Sequence, residues 1–234
     1  MNKKLKTLLC LCLAFLLCTS FFIACESNDE KTNDERIEYE NDYEKSSTTP
    51  KIIEQQISSI KCKNELNSFL QKSKTQKNIK AELDRRIYNC YFDGTDSFVY
   101  IKKSYSEYWA GKVDNEYLRF NNFEDAKIFS IISQSDVEKT IQNANEDIFD
   151  DYLGSRIIKA IENAQGFECL KTTKGNIVVY QMKLIDFGSA QNFTITVVDE
   201  LITEVLIDDK IAFICNYTGE KIIMPDKSDY EVTN

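Results

Sequence analysis

Three regimes of hydrophobic patterning divide the chain. Across 8–24 nearly every position is apolar, with only Thr19 and Ser20 interrupting. Across 26–50 almost nothing is: Ile37 and two tyrosines stand among nine acidic and three basic residues. From Lys51 onward apolar and polar positions recur in short periodic blocks, as a domain with a face to bury requires. Ile53, Ile57, Ile60, Leu66, Phe69 and Leu70 fall at roughly helical spacing and predict an amphipathic helix over 52–72. The period then shortens to two. ELDRRIYNCYF and SFVYIKK flank the turn 93–96 as a hairpin, SEYWAG and EYLRF flank a turn at 112–115, and AKIFSIIS adds a strand. Ser135 and Glu138 predict a capping box opening a second helix, with a break near Gly154 and a stop at Gly166. The last third returns to strands. FECLKTT and NIVVYQMKLID flank Lys174 and Gly175, FTITVV and LITEVLID flank Asp199 and Glu200, and KIAFICNYTG and EKIIMP follow. Such short connections exclude parallel crossovers, so the expected fold is α+β, one long antiparallel meander with helices.

The apolar leader changes the picture of location. Met1 to Lys6 carries three lysines, the apolar run follows, and the run ends Phe22-Ile23-Ala24-Cys25. A charged start, an apolar middle and a small residue before the cut describe a secretory signal. The ending resembles a lipobox, in which lipoprotein signal peptidase cuts before a cysteine carrying diacylglycerol, although Phe22 replaces the usual Leu, Val or Ile. The competing reading is an uncleaved anchor helix, since the run approaches the roughly 18 residues needed to span a bilayer. Both place the remainder outside the cytoplasm, on the extracytoplasmic face of the cell membrane. The expected organisation is a signal over 1–24, lipidated Cys25 with an acidic tether over 25–50, and one domain over 51–234. The tether has too little to bury to offset its ordering entropy, and its charge repels an anionic surface.

Composition narrows the chemistry. The net charge is −9 and no basic stripe appears, which argues against nucleic acid as a partner. Histidine is absent, removing Ser-His and Cys-His nucleophile pairs and His-ligated metal sites. Glu146, Asp147, Asp150 and Asp151 cluster on the second helix and could supply an acid and a base; a solvated helix face explains them better. Asp93, Thr95 and Asp96 around Gly94 fit a hairpin turn better than a calcium loop, lacking its downstream glutamate. No cofactor, metal or catalytic residue is expected. Beyond Cys25, the cysteines Cys62, Cys90, Cys169 and Cys215 could form two bridges in three pairings, or remain four buried thiols.

The order of elements (helix, meander, helical insertion, second meander ending in a tyrosine strand and a proline) resembles the LolA/LppX-like bacterial envelope lipoproteins. WAGKVDNEYLRF and the closing run VVDELITEVLIDDKIAFICNYTGEKIIMP, with Tyr217 and Pro225, carry the likeness; Asp199 and Glu200 depart from it where a glycine turn is usual. The resemblance implies a half-barrel, a long curved sheet with helices on its concave face. It also implies a non-catalytic lipoprotein that binds a lipid or other apolar ligand there. Half-barrels of this kind also act as envelope sensors or scaffolds that grip another envelope protein. Aromatic residues crowd the first meander, among them Tyr100, Tyr105, Tyr108, Trp109, Tyr117, Phe120 and Phe129, and Trp109 with Tyr117 are the candidate ligand contacts, aromatic rings offering large area with few rotors. The competing reading makes these aromatics an ordinary core between sheet and helices.

Overall fold

The computed structural model describes residues 50–124 and 126–233. They belong to one compact unit, Thr48–Asn234. The signal, Cys25 and the acidic tether lie outside the described residues.

Among the described residues thirteen strands form one sheet, most of them built by period-two patterning. β1 is Ile52–Gln56, followed by helix α1, Ser59–Lys74. A first meander runs β2 Ile79–Leu83, β3 Arg86–Phe92, β4 Ser97–Lys103, β5 Ser106–Val113, β6 Glu116–Phe123 and β7 Ala126–Ile131. Helix α2 (Gln134–Glu146) passes into a π-helical segment, Asp147–Ile158, and a short helix α3, Lys159–Asn163. A second meander runs β8 Gly166–Lys174, β9 Ile177–Asp186, β10 Ser189–Val198, β11 Leu201–Ile207 and β12 Lys210–Asn216. A two-residue strand β13, Glu231–Val232, is the last element. The strand order is β1-β8-β9-β10-β11-β12-β2-β3-β4-β5-β6-β7-β13, so the two meanders join where β12 pairs with β2. The α+β expectation holds. The purely antiparallel expectation is corrected at one edge, where β13 pairs with β7 in parallel.

Other expectations shift for local reasons. Residues 52–56 are an edge strand on β8 rather than the start of the helix, and Ser58 caps α1 by accepting from Lys61 N. The segment ELDRRIYNCYF is two strands, folded at Asp84 and Arg85 with φ of 46° and 74°. Paired positive φ values recur at Asp114/Asn115, Asp199/Glu200 and Asp208/Asp209. These are primed hairpin turns built without glycine, mostly from the residue types that best tolerate that region. The capping box belongs to Ser133 and Asp136, two residues earlier than expected. No break occurs at Gly154, because the π-helical segment carries the chain through it. Gly166 opens β8, the helix having ended at Asn163. EKIIMP forms no strand.

One face of the sheet carries the main core. Met182, Ile195, Val205, Phe213, Leu83, Tyr88 and Val99 are buried on successive strands, in registers that keep them on a single side. Cys62, Leu66, Leu70 and Ser73 of α1 meet it at spacings of three and four. The π-helical segment buries Ile148, Phe149, Leu153, Ile157 and Ile158, recurring every four to five residues as its wider turn demands. Named contacts fix the helices to the strands: Ser73 Oγ accepts from Ile202 N at 3.0 Å, Tyr152 Oη donates to Ala212 O at 3.0 Å, and Phe149 meets Phe213 edge-on.

The opposite face differs between the meanders. On the second it is mainly polar, with Lys183, Gln181, Asn192, Thr194 and Glu204. On the first it is aromatic: Tyr100, Trp109, Phe120 and Phe129 stand in register across β4 to β7. The C-terminal segment covers this patch. Asn89 exchanges two hydrogen bonds with the Glu220 backbone, Tyr230 meets Phe120 edge-on at 5.0 Å, and Thr233 N donates to Phe129 O. Leu118 and Phe120, both fully buried, thus form a second small core away from the helices.

Candidate ligand cleft

Three elements converge at one corner of the helix-bearing face. A helix leaves its last carbonyls without intrahelical partners. At the end of α1 one of these is closed from α2, where Asn145 Nδ2 donates to Lys74 O at 3.0 Å and also reaches Gln76 O, beyond the cap, at 3.3 Å. Thr75 Oγ1 takes Lys72 O at 2.8 Å. Asn145 is only 6% exposed, and its Oδ1 has no hydrogen-bond partner among the described residues. Below this junction Phe92 and Ser97 face each other across β3 and β4.

Between the α1 end, α2 and that strand pair lies a cleft of about 280 Å³. Phe92 and Ile141 are its apolar members, and Lys77 Nζ stands 4.5 Å over the Phe92 ring. Glu138 and Gln142, one turn apart on α2, add an acid and an amide. The cleft can therefore take a small apolar body with a polar or cationic end. Two larger recesses lie elsewhere on the surface: one of about 480 Å³ includes Asp84, Arg156 and Lys210, and one of about 470 Å³ combines Ile101, Tyr108 and Phe123 with Lys103 and Glu107.

The structure separates the two aromatic residues singled out from sequence. Trp109 pairs with Phe120 and Tyr117 pairs with Lys112, an odd offset that puts them on opposite faces of the sheet. Trp109 lies on the strapped aromatic face, 5.1 Å from the Tyr100 ring. Tyr117 lies on the helix-bearing face, and its hydroxyl donates to Asp96, which Lys112 Nζ also approaches at 3.1 Å. That hydrogen bond to Asp96 pushes the Tyr117 phenol up to about 12, with Glu138 of the cleft adding to the negative field. Tyr117 and Lys112 together hold the Asp96 carboxyl below its usual range. The pair thus does not line one cleft, and the register is the reason.

The acidic cluster on the helices is engaged in structural contacts. Asp147 accepts from Tyr88 Oη at 3.0 Å and stands 3.9 Å from Lys103 Nζ, while Lys74 pairs with Asp150. Asp93 Oδ1 accepts from Thr95 N, Thr95 Oγ1 and Asp96 N, which makes 93–96 a side-chain-locked turn. Among the described residues no cluster of three metal-ligating side chains occurs, and no helix is long and apolar enough to cross a membrane. The cleft residues Phe92, Ile141 and Asn145 carried no signal in the sequence, because three distant segments build the site. Comparison with known proteins returns no match, whether to a family model, a curated protein or a solved structure.

Proposed function

We propose that this chain is a non-catalytic lipoprotein, anchored by lipid on Cys25 at the extracytoplasmic face of the membrane, that binds an apolar or amphiphilic ligand. The likeness to LolA/LppX-like proteins is part of the proposal, with the helix-bearing face as the concave side of a half-barrel. The observation that carries the binding reading is the cleft beside Phe92, Ile141 and Asn145: it opens on that same side and combines apolar walls with a small set of polar groups. Its volume of about 280 Å³ suits a headgroup-sized or short-chain segment rather than a whole acyl chain. Fluorescence of an apolar dye added to the purified mature protein tests this. Phe92→Asp and Ile141→Glu should each weaken dye binding at least tenfold without lowering the thermal midpoint below that of other surface variants. Equal binding by wild type and both variants would remove the cleft from consideration.

A second reading, an envelope scaffold that grips another protein by its sheet edge, draws support from β1. All five of its residues are exposed, with Ile52 and Ile53 more than half so, and its outer edge offers unpaired backbone groups. A photo-crosslinker at Ile53 that captures one envelope protein reproducibly, with no dye binding, would favour it.

A further inference from the structure

Four thiols allow six single bridges, and the fold brings the sulfurs of one pair together. Cys62 on α1 and Cys169 on β8 bring their sulfurs to 3.8 Å, both side chains being essentially buried. Cys90 and Cys215 cannot join each other. Cys215 pairs with Ala81 and Cys90 with Ile79, so the whole of β2 runs between them. Two strand spacings are roughly 9–10 Å, beyond the ~7 Å between Cα atoms that a disulfide tolerates.

From this geometry we infer that Cys62 and Cys169 are a disulfide site, and that Cys90 and Cys215 remain thiols. The sulfurs must close by less than about 2 Å, within reach of side-chain rotation on the two flanking elements. Lys171, two residues along β8, is held at 2.8 Å from Glu65 of α1, so an ion pair rather than a lone cation flanks the two sulfurs. The hydrogen bond within the pair lowers the Cys169 thiol against the opposition of burial and of the Glu65 carboxylate, which Lys171 offsets in part, while the same contact and burial raise Cys62. Burial pushes Cys90 and Cys215 up to about 12, which leaves them poor nucleophiles.

The oxidant is a disulfide, either small, such as oxidised glutathione, or borne by an exchange protein. The Cys169 thiolate attacks one of its sulfurs and expels a thiolate, leaving a mixed disulfide. Cys62 then loses its proton and attacks Cys169 Sγ, expelling the second thiolate. One S–S bond forms in the protein, the oxidant is reduced to two thiols, and the two protons from Cys62 and Cys169 end on them. Because both sulfurs are buried, the step belongs to the folding chain or to opening of the edge strand β1, which holds Cys169 through Ile57 N donating to Cys169 O at 3.1 Å. Once closed, the bond ties α1 to β8 and encloses a separation of 107 residues.

The test unfolds the purified mature protein, refolds it in a mixture of oxidised and reduced glutathione, removes the glutathione, then alkylates it under denaturant without reductant and maps the peptides. One linked pair, Cys62 with Cys169, and alkylated Cys90 and Cys215 are expected. Reductant should lower the thermal midpoint by on the order of 10 °C, and Cys169→Ser should remove that sensitivity. Alkylation of both Cys62 and Cys169 after oxidation, or any bridge through Cys90 or Cys215, would overturn the inference. The mapping is independent of ligand binding and export, which are read separately from dye fluorescence and from the state of Cys25.

Discussion

Asn145 joins the end of α1 to α2, and exchanging its amide for a carboxylate is a sharp perturbation of that junction. In the native protein its Nδ2 donates to Lys74 O, the last carbonyl of a sixteen-residue helix, and to Gln76 O just beyond the cap. Asn145→Ala loses two hydrogen bonds, about 1–3 kcal/mol together, offset in part by removing an Oδ1 that has no partner among the described residues. A net loss of about 1–2 kcal/mol follows. Asn145→Asp loses the same bonds and sets a full negative charge some 3–4 Å from a helix end carrying about half a charge. At an effective dielectric of 20 that repulsion is about 2 kcal/mol. The Asp variant should therefore be about 3–4 kcal/mol less stable than wild type at pH 7.

The new carboxyl would have a folded-state pKa raised above its unfolded value. Its penalty is then absent at low pH and grows as pH rises from the unfolded pKa, about 3.9, through the folded one. Urea denaturation followed by Trp109, the single tryptophan, is the assay, because that ring lies on the opposite face and the mutation does not touch it. The gap between the Asp and Ala variants should be widest at pH 7 and close toward pH 4. Equal midpoints for the two at pH 7, or a gap that ignores pH, would refute the assignment of Asn145 as a cap on the end of α1.

Two further outcomes are expected. Gly111→Ala places a methyl against the Phe98 ring and 3.2 Å from the Met224 sulfur under the C-terminal segment, and should cost about 1–3 kcal/mol; a red shift of Trp109 emission should accompany it, and unchanged stability and emission would contradict the covering role of that segment. Glu65 accepts from Lys171 at 2.8 Å and from Tyr180 Oη at 2.5 Å; burial works against its charge, yet these partners hold its carboxyl below the usual range. A depressed carboxyl supplies stability that is present above its unfolded pKa, near 4.5, and lost as pH falls through the folded value. Glu65→Gln should thus lower stability at pH 7 by about 1–2 kcal/mol and flatten the acid limb of the pH profile; an unchanged acid limb would show that the carboxylate is not held in this way.

The strands of both meanders were readable from alternation because each buries one face, and a period of two has few competing explanations. What failed were signals that a neighbour decides. The run Ile53, Ile57, Ile60 fits a helix by spacing alone, but residues 52–56 find an open edge on β8 and extend to pair with it. Ser135 with Glu138 and Ser133 with Asp136 are both adequate capping pairs in sequence, and the helix that starts at Gln134 uses the earlier one. The separation of Trp109 from Tyr117 was within reach: placing the turn at Asp114 and Asn115 fixes the register, and the register fixes opposite faces. The crowd of aromatic residues in the first meander could not be resolved so simply, because it divides between the main core and a second face covered by the chain's own C-terminal segment.

Local patterning by itself determined that this chain has an apolar run before Cys25, an acidic stretch, and an α+β domain without histidine, because these depend on composition and on short periodicity. The tertiary structure decided which thiols can meet, which aromatic rings share a face, and where a cleft opens. Those depend on segments more than a hundred residues apart, such as Cys62 and Cys169, or on three elements meeting at Asn145. Contacts of that range are set by the pairing of β12 with β2 and by the packing of α1 and α2 on the sheet, and no window of sequence contains both partners.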